Sequence, residues 1–358
     1  MSNIKLYLHV GTEKTGSSFL QALLSQNRDK LWAKGIHYPS GGKYERGMKA
    51  GRISPGNGKY LWEILMKKDW NRLKHLLQGY KAEAEKRNSS KILISNENIV
   101  EAFSQEATLY EFTECCKNLS IDISGMLLVL RDPVDQALSL YKHRAKSGNI
   151  ASIDKWLEEG YFLPRFLFGF FQNVEESKTH LLVQKYHKNS AILSEYFFKD
   201  WLGIEVPPHS DDTSVNPSLT LSELQVIKQV KTISPNLVPF YYKRMLTIPV
   251  KQKAEDKFLK KKYLSVISSY LVKYNSLWNH CNDMIFNSDK LQLPVGEDII
   301  QDSGSILCFS EIQTEAFVLL MKESNTLPYK IDVAFNQRIR PKLAKIKWAV
   351  IDYIKKGK

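Results

Sequence analysis

The ten residues His9-Val10-Gly11-Thr12-Glu13-Lys14-Thr15-Gly16-Ser17-Ser18 hold the densest chemistry in this 358-residue chain. Turn glycines, a lysine and paired hydroxyls are the parts of a cradle for a phosphate-like anion. Backbone N–H groups at a helix start point at such an anion, and an ammonium group balances its charge. A Walker A loop, G-x-x-x-x-G-K-[ST], carries its lysine directly after the second glycine. Here Lys14 comes two residues before Gly16, which changes the bond of the bound anion that the ammonium reaches. The same residues also fit an ordinary strand–turn–helix connection with a solvated lysine.

A cradle of this kind needs a strand before it and a helix after it. Residues 4–10 are short, apolar and β-rich, and Phe19, Leu20, Leu23, Leu24 and Leu31 supply an apolar helix face. Further buried strands are read at 91–95, 125–130 and 180–184, with helical patterns at 60–87 and from Pro133 onward. Strands alternating with helices predict an α/β fold: a P-loop-type, mainly parallel sheet flanked by helices. Beyond Pro207-Pro208 the chain turns mostly helical. Thr220 and Glu223 have capping-box spacing, and 253–278 reads as one long helix. The predicted division is an α/β core at 1–235 and a helical region at 236–358.

Gly11-x-x-Lys14-Thr15-Gly16-Ser17-Ser18 after a first strand resembles the 5′-phosphosulfate loop of sulfotransferases. These enzymes use 3′-phosphoadenosine 5′-phosphosulfate (PAPS). The resemblance extends, through Gln21, Asn27-Arg28, Gly35-Ile36 and Tyr38-Pro39, to bacterial sulfotransferase-like proteins, many associated with cell-surface glycans. A second family element is a strand ending in Arg, with Ser eight residues later, which binds the 3′-phosphate; Arg131 and Ser139 match it. An Arg fork bonds a nearly dianionic phosphate bidentately, and a hydroxyl adds a further contact. Asn216-Pro217-Ser218 is similar to a third family segment.

The resemblance implies transfer of a sulfuryl group from PAPS to a hydroxyl or amine, with a carbohydrate acceptor. Lys14 would assist the leaving phosphate, while Gly11, Thr15, Gly16, Ser17 and Ser18 would hold the phosphosulfate. Tyr186 stands where relatives place a tyrosine against the adenine, although residue 187 is His where they carry Glu. The acceptor must lose a proton, so a general base is needed. Glu97, just beyond the second recognised strand, is the first candidate, and His37 is the second. No metal is implied.

The net charge of +13 is not spread evenly. Residues 1–60 carry +7 and residues 331–358 carry +6, leaving the body between them balanced. Two basic ends around a neutral body point to local anion sites rather than to nucleic acid. Residues 35–58 hold seven of the 18 glycines together with Lys43, Arg46, Lys49 and Arg52, and read as a mobile basic loop at 40–59. It would either close over an acidic glycan as a lid or remain a solvated loop. A basic amphipathic helix is read at 340–356, suited to an anionic membrane leaflet or to docking by its apolar face.

Four cysteines, Cys115, Cys116, Cys281 and Cys308, give no disulfide framework or C-x-x-C spacing and fit a reducing compartment. With no apolar leader or spanning stretch in view, a cytoplasmic protein is expected, with contact to the inner membrane through the tail helix. Two other readings remain. A P-loop kinase or nucleotidase is weakened by the displaced lysine and by the lack of an evident magnesium-holding aspartate. A non-catalytic binder of nucleotide or sulfated glycan would keep the loop without the base.

Overall fold

The computed structural model describes residues 3–50, 54–146, 148, 151–207, 218–286, 289–296 and 307–323. The apolar runs become five strands: β1 (Ile4–His9), β2 (Ile36–His37), β3 (Lys91–Ser95), β4 (Ile121–Leu130) and β5 (Leu181–Lys185). They lie in the order β2-β3-β1-β4-β5 with every neighbouring pair parallel. His9 is level with Ser95 on one side and Leu127 on the other, so the carboxyl ends of the central strands converge. The register of β4 against β1 shifts at Leu6/Tyr7, where a bulge lets the longer strand follow its neighbour.

Burial on both faces explains why these strands read as continuous apolar runs. On one face Leu6, Leu8, Ile92, Ile94, Met126 and Leu128 are fully buried. They pack against α4 (Lys59–Met66), α5 (Trp70–Lys86), α6 (Ile99–Phe103), α7 (Thr108–Asn118) and α10 (Leu163–Ser177). On the other face Leu93, Leu127 and Val129 meet α1 (Ser17–Gln26) and the π-helical turn Tyr196–Trp201 that follows α11 (Ser190–Glu195). The remaining helices of this part are α2 (Arg28–Ala33), α3 (Glu45–Lys49), α8 (Pro133–Ala145) and α9 (Ile153–Glu159).

The chain divides into two compact units, though not at 235/236. The described residues of 1–140, 153–216 and 264–299 form the sheet unit, and those of 141–152, 217–263 and 300–323 form the other. Residues beyond 264 return to the sheet unit because α15 (Asn275–Met284) buries Leu277, Trp278 and Cys281 in its core, and Ile285 bridges Val183 of β5. The expected helix at 253–278 is two helices. Asp256 accepts from Leu259 N and opens α14 (Lys257–Leu271), and a 3₁₀ turn at Val272–Tyr274 separates it from α15.

The second unit holds α12 (Leu221–Ile233), α13 (Val238–Leu246) and α16 (Glu311–Glu323). The capping box at Thr220/Glu223 forms with both of its hydrogen bonds, 2.8 and 3.2 Å. Glu223 also takes the buried Lys253 ammonium at 3.0 Å and the Gln313 amide at 2.8 Å, which satisfies a carboxylate with no exposed surface. The tail helix read at 340–356 and the Asn216-Pro217 segment lie outside the described residues.

Candidate functional site

The loop between β1 and α1 is tied to β4 at its start. Thr12 donates to Val129 O through both its amide (3.3 Å) and its hydroxyl (3.1 Å), and the Thr15 hydroxyl donates to Thr12 O. Lys14 sits at φ 70°, a left-handed conformation disfavoured by about 1–2 kcal/mol for a residue with a Cβ. Gly16 follows at φ 79° as the N-cap residue of α1. A Cβ there would lie 2.7 Å from Leu193 and 3.2 Å from the Tyr186 ring, so glycine is required by both conformation and space. A Cβ at Gly11 would lie 2.8 Å from His9 Nε2. Ser17 and Ser18 open α1. The helix thus starts at the carboxyl end of β1, where its unpaired N–H groups favour an anion.

The chain leaves β1 towards β2 on one side of the sheet and leaves β4 towards β5 on the other. The β1/β4 boundary is therefore a switch point, where open α/β sheets hold ligands beyond their carboxyl ends. Arg131 follows β4 at that boundary. Its guanidinium lies 3.4 Å from Asp135 and 5.5 Å from the Tyr186 ring centroid, while its Nε is buried without a hydrogen-bond partner. Ser139 lies within α8, half-buried. Asp132 accepts from Gln292 N at 2.8 Å and pairs with Lys185 at 3.3 Å.

Two more buried side chains near this edge have unpartnered polar atoms: His9 at Nε2 and Gln184 at both ends of its amide. Buried groups of this kind are exceptions that a ligand or an ordered water explains. Burial lowers the pKa of His9 to about 4, so its ring is neutral near pH 7, with Nδ1 2.8 Å from Ser95 Oγ.

Glu97 is two residues past β3, half-buried, and faces the first turns of α1. Gln21 Nε2 donates to its Oε2 at 3.0 Å, and Ser17 contributes a second side-chain hydrogen bond. Burial raises its pKa above the ordinary carboxylate range, with the Glu13 charge acting in the same direction. Hydrogen bonds from Glu97's own amide, Gln21 and Ser17 act against that rise. The carboxyl group is thus fixed beside the residues that open the anion loop.

His37 is placed elsewhere. It pairs with Ile92 in the lower half of β3, three residues short of the strand's carboxyl end. Trp32 Nε1 lies 3.4 Å from its Nδ1, and Glu83 lies 3.2 Å from its Nε2. Burial lowers its pKa against the opposing influence of Glu83. Nothing here brings its ring to the loop.

The glycine-rich segment is more ordered than its composition suggests. Residues 42–49 form a 3₁₀ turn and α3, with Met48 fully buried. Glu45 is the anchor: it accepts from Ser25 (2.7 Å), Arg28 (2.8 Å) and Gly41 N (3.0 Å). Burial alone would raise its pKa, but these donors outweigh it and hold the pKa at about 2. Lys43, Arg46 and Lys49, spaced by three, remain exposed. They form an exposed basic ridge on the 3₁₀ turn and α3; Arg52 lies outside the described residues.

Further along, Ser54 donates to Gln21 Oε1 at 3.2 Å. Asn57 bonds Leu93 O (3.0 Å) and Ser95 N (2.7 Å), and Gly56 sits at φ 69° against Ser95 O. Sequence reasoning singles out neither Ser54 and Asn57 nor Gln136 and Gln184. The Ser54-Pro55-Gly56-Asn57-Gly58 run was the available signal, since it is too rich in turn formers to be a random coil.

Among the described residues, no group of three His, Cys, Asp or Glu is placed to hold a metal ion, and no helix is long and apolar enough to cross a membrane. Compared with family models, curated proteins and solved structures, the chain matches none.

Proposed function

We propose that this protein is a sulfotransferase that moves a sulfuryl group from PAPS to a hydroxyl or amine of a carbohydrate acceptor. The observation that carries this reading is the placement of Glu97 against Ser17 and Gln21, which puts a carboxylate of weakened acidity beside a lysine-bearing anion loop. A base whose pKa lies nearer the working pH is more effective at accepting a proton.

PAPS supplies an activated sulfuryl group. In the proposed reaction the S–O bond to the 5′-phosphate breaks as a new S–O (or S–N) bond to the acceptor forms, and the acceptor's proton passes to a Glu97 oxygen. Lys14 stabilises charge on the departing phosphate oxygen, and the amides of Gly16, Ser17 and Ser18 hold the remaining oxygens. Arg131 and Ser139 hold the 3′-phosphate; the weak 3.4 Å contact of Arg131 with Asp135 leaves its fork ready to exchange partners. The Tyr186 ring, packed between Gly16 and Arg131, offers a face to the adenine. His37 is the weaker base candidate because both ring nitrogens face Trp32 and Glu83. Cytoplasmic location belongs to the same reading, as does contact of the basic tail with a membrane. The exposed ridge of Lys43, Arg46 and Lys49 suits an acidic acceptor.

Thermal shift with 3′-phosphoadenosine 5′-phosphate, with ATP/Mg²⁺ and with a heparin-like polymer tests the reading. Stabilisation by the bisphosphate is expected; stabilisation by ATP/Mg²⁺ alone would assign the loop to a kinase or nucleotidase. Transfer of label from PAPS to a glycan panel then separates an enzyme from a binder.

A further inference from the structure

Lys14 occupies a conformation that its own side chain disfavours, and one hydrogen bond acts directly on the peptide that leads into it. Gln136 Nε2 donates to Glu13 O at 3.1 Å, across 123 residues of sequence. The amide of Gln136 is itself oriented: Tyr161 donates its hydroxyl to Gln136 Oε1 at 2.8 Å. Gln136 and Tyr161 are nearly inaccessible to solvent, at 1% and 3% exposure. Glu13 O is a carbonyl that only accepts, so flipping this buried amide would lose that bond, and its N–H₂ end is committed to the loop. Gln136 also lies in α8 between Arg131 and Ser139, on the segment proposed to hold the 3′-phosphate.

The opposite side of the loop has the same construction. Ser54 donates to Gln21 Oε1, and Gln21 Nε2 donates to Glu97. In both places a hydroxyl fixes a buried glutamine, and the glutamine fixes a group at the candidate site.

We propose that Gln136, oriented by Tyr161, is a positioning residue for Lys14: it holds the Glu13–Lys14 peptide so that the ammonium is aimed at the leaving-group oxygen. This rests on the sulfotransferase reading for its catalytic consequence, but not for its structural one. A positioning residue acts through its target. Removing it should therefore be costly when Lys14 is present and nearly neutral when Lys14 is gone.

The experiment is a double-mutant cycle in the full chain, using Gln136→Leu, Lys14→Ala and the double variant, with Tyr161→Phe as a milder change that keeps the amide. Backbone hydrogen exchange of residues 11–16 is followed in each unliganded protein. Gln136→Leu should lower kcat for PAPS turnover by about tenfold or more and change KM less; in the Lys14→Ala background it should add under about twofold. Tyr161→Phe should give a smaller loss of the same kind. Exchange at residues 11–16 should quicken in Gln136→Leu while the thermal transition remains cooperative. Additive losses in the cycle, or unchanged exchange in both Gln136→Leu and Tyr161→Phe, would overturn the proposal. If the parent protein shows no PAPS turnover, the sulfotransferase reading fails, and the exchange result alone decides whether Gln136 holds the loop.

Discussion

Glu97 is central to the proposed site and, as a charged group, is a burden on the fold. Its raised pKa means that the folded protein binds its proton more tightly than the unfolded chain does. The ionised form therefore destabilises the native state as pH rises through the unfolded value towards the folded one and beyond. On the proposed function, Glu97→Gln is expected to reduce PAPS turnover by at least about 100-fold while raising the melting temperature at pH 7. The gain should vanish below pH 4, where both states are protonated. Parallel rate and melting measurements across pH check both halves. Lys14 and Glu97 were legible in sequence as candidates, because residue type and position after a strand single them out. Gln136 was not, because it gains its role from a partner far along the chain, Glu13.

At the scale of elements, the buried strands could be read from their runs of apolar residues, whereas β2 could not. Two residues, Ile36 and His37, are too few to show a period, and their pairing with β3 is set by tertiary contact. The described part of the segment at 40–58 carries more regular structure than its composition implies, for a related reason. Its glycines suggest freedom, but Glu45 gathers donors from Ser25, Arg28 and Gly41, and Met48 plugs it to the body. Glu45→Gln is expected to cost about 2 kcal/mol and to make residues 40–50 the first site of proteolytic cleavage. Because its pKa is held at about 2, the stabilisation from Glu45 is fully present above pH 4.5 and is lost as pH falls through about 2. Denaturant melts of the parent and Glu45→Gln proteins should therefore converge in strong acid.

For the whole molecule, the pattern of alternating elements foretold the α/β class and the parallel sheet. It did not foretell that residues 264–299 would rejoin the sheet, since a helix carries no mark of which core it will enter. The buried histidine at the end of β1 gives the molecule a distinct acid response. His9 is neutral when folded, with a pKa of about 4, and ionises near 6.5 when unfolded. Stability should thus fall as pH drops from 6.5 towards 4, by up to about 3 kcal/mol. Urea midpoints at pH 7 and pH 4.5 measure this, and His9→Asn should flatten most of the slope; a slope unchanged by that substitution would move its origin elsewhere, His37 first.

The side chain of Asn57 has a consequence for solubility. Because β2 pairs only with Lys91 and Ile92, the upper half of β3 has no strand beside it; the Asn57 amide meets that border at Leu93 O and Ser95 N, and the Gly58 amide meets it at Ser95 O. An open border is a template on which another chain can add a strand. Asn57→Ala is therefore expected to produce concentration-dependent self-association, visible by light scattering, in which the carboxyl end of β3 becomes a seam between molecules. The Asn57 carboxamide, together with the Gly58 amide at Ser95 O, would then be what keeps the border of β3 from meeting a second copy of the chain.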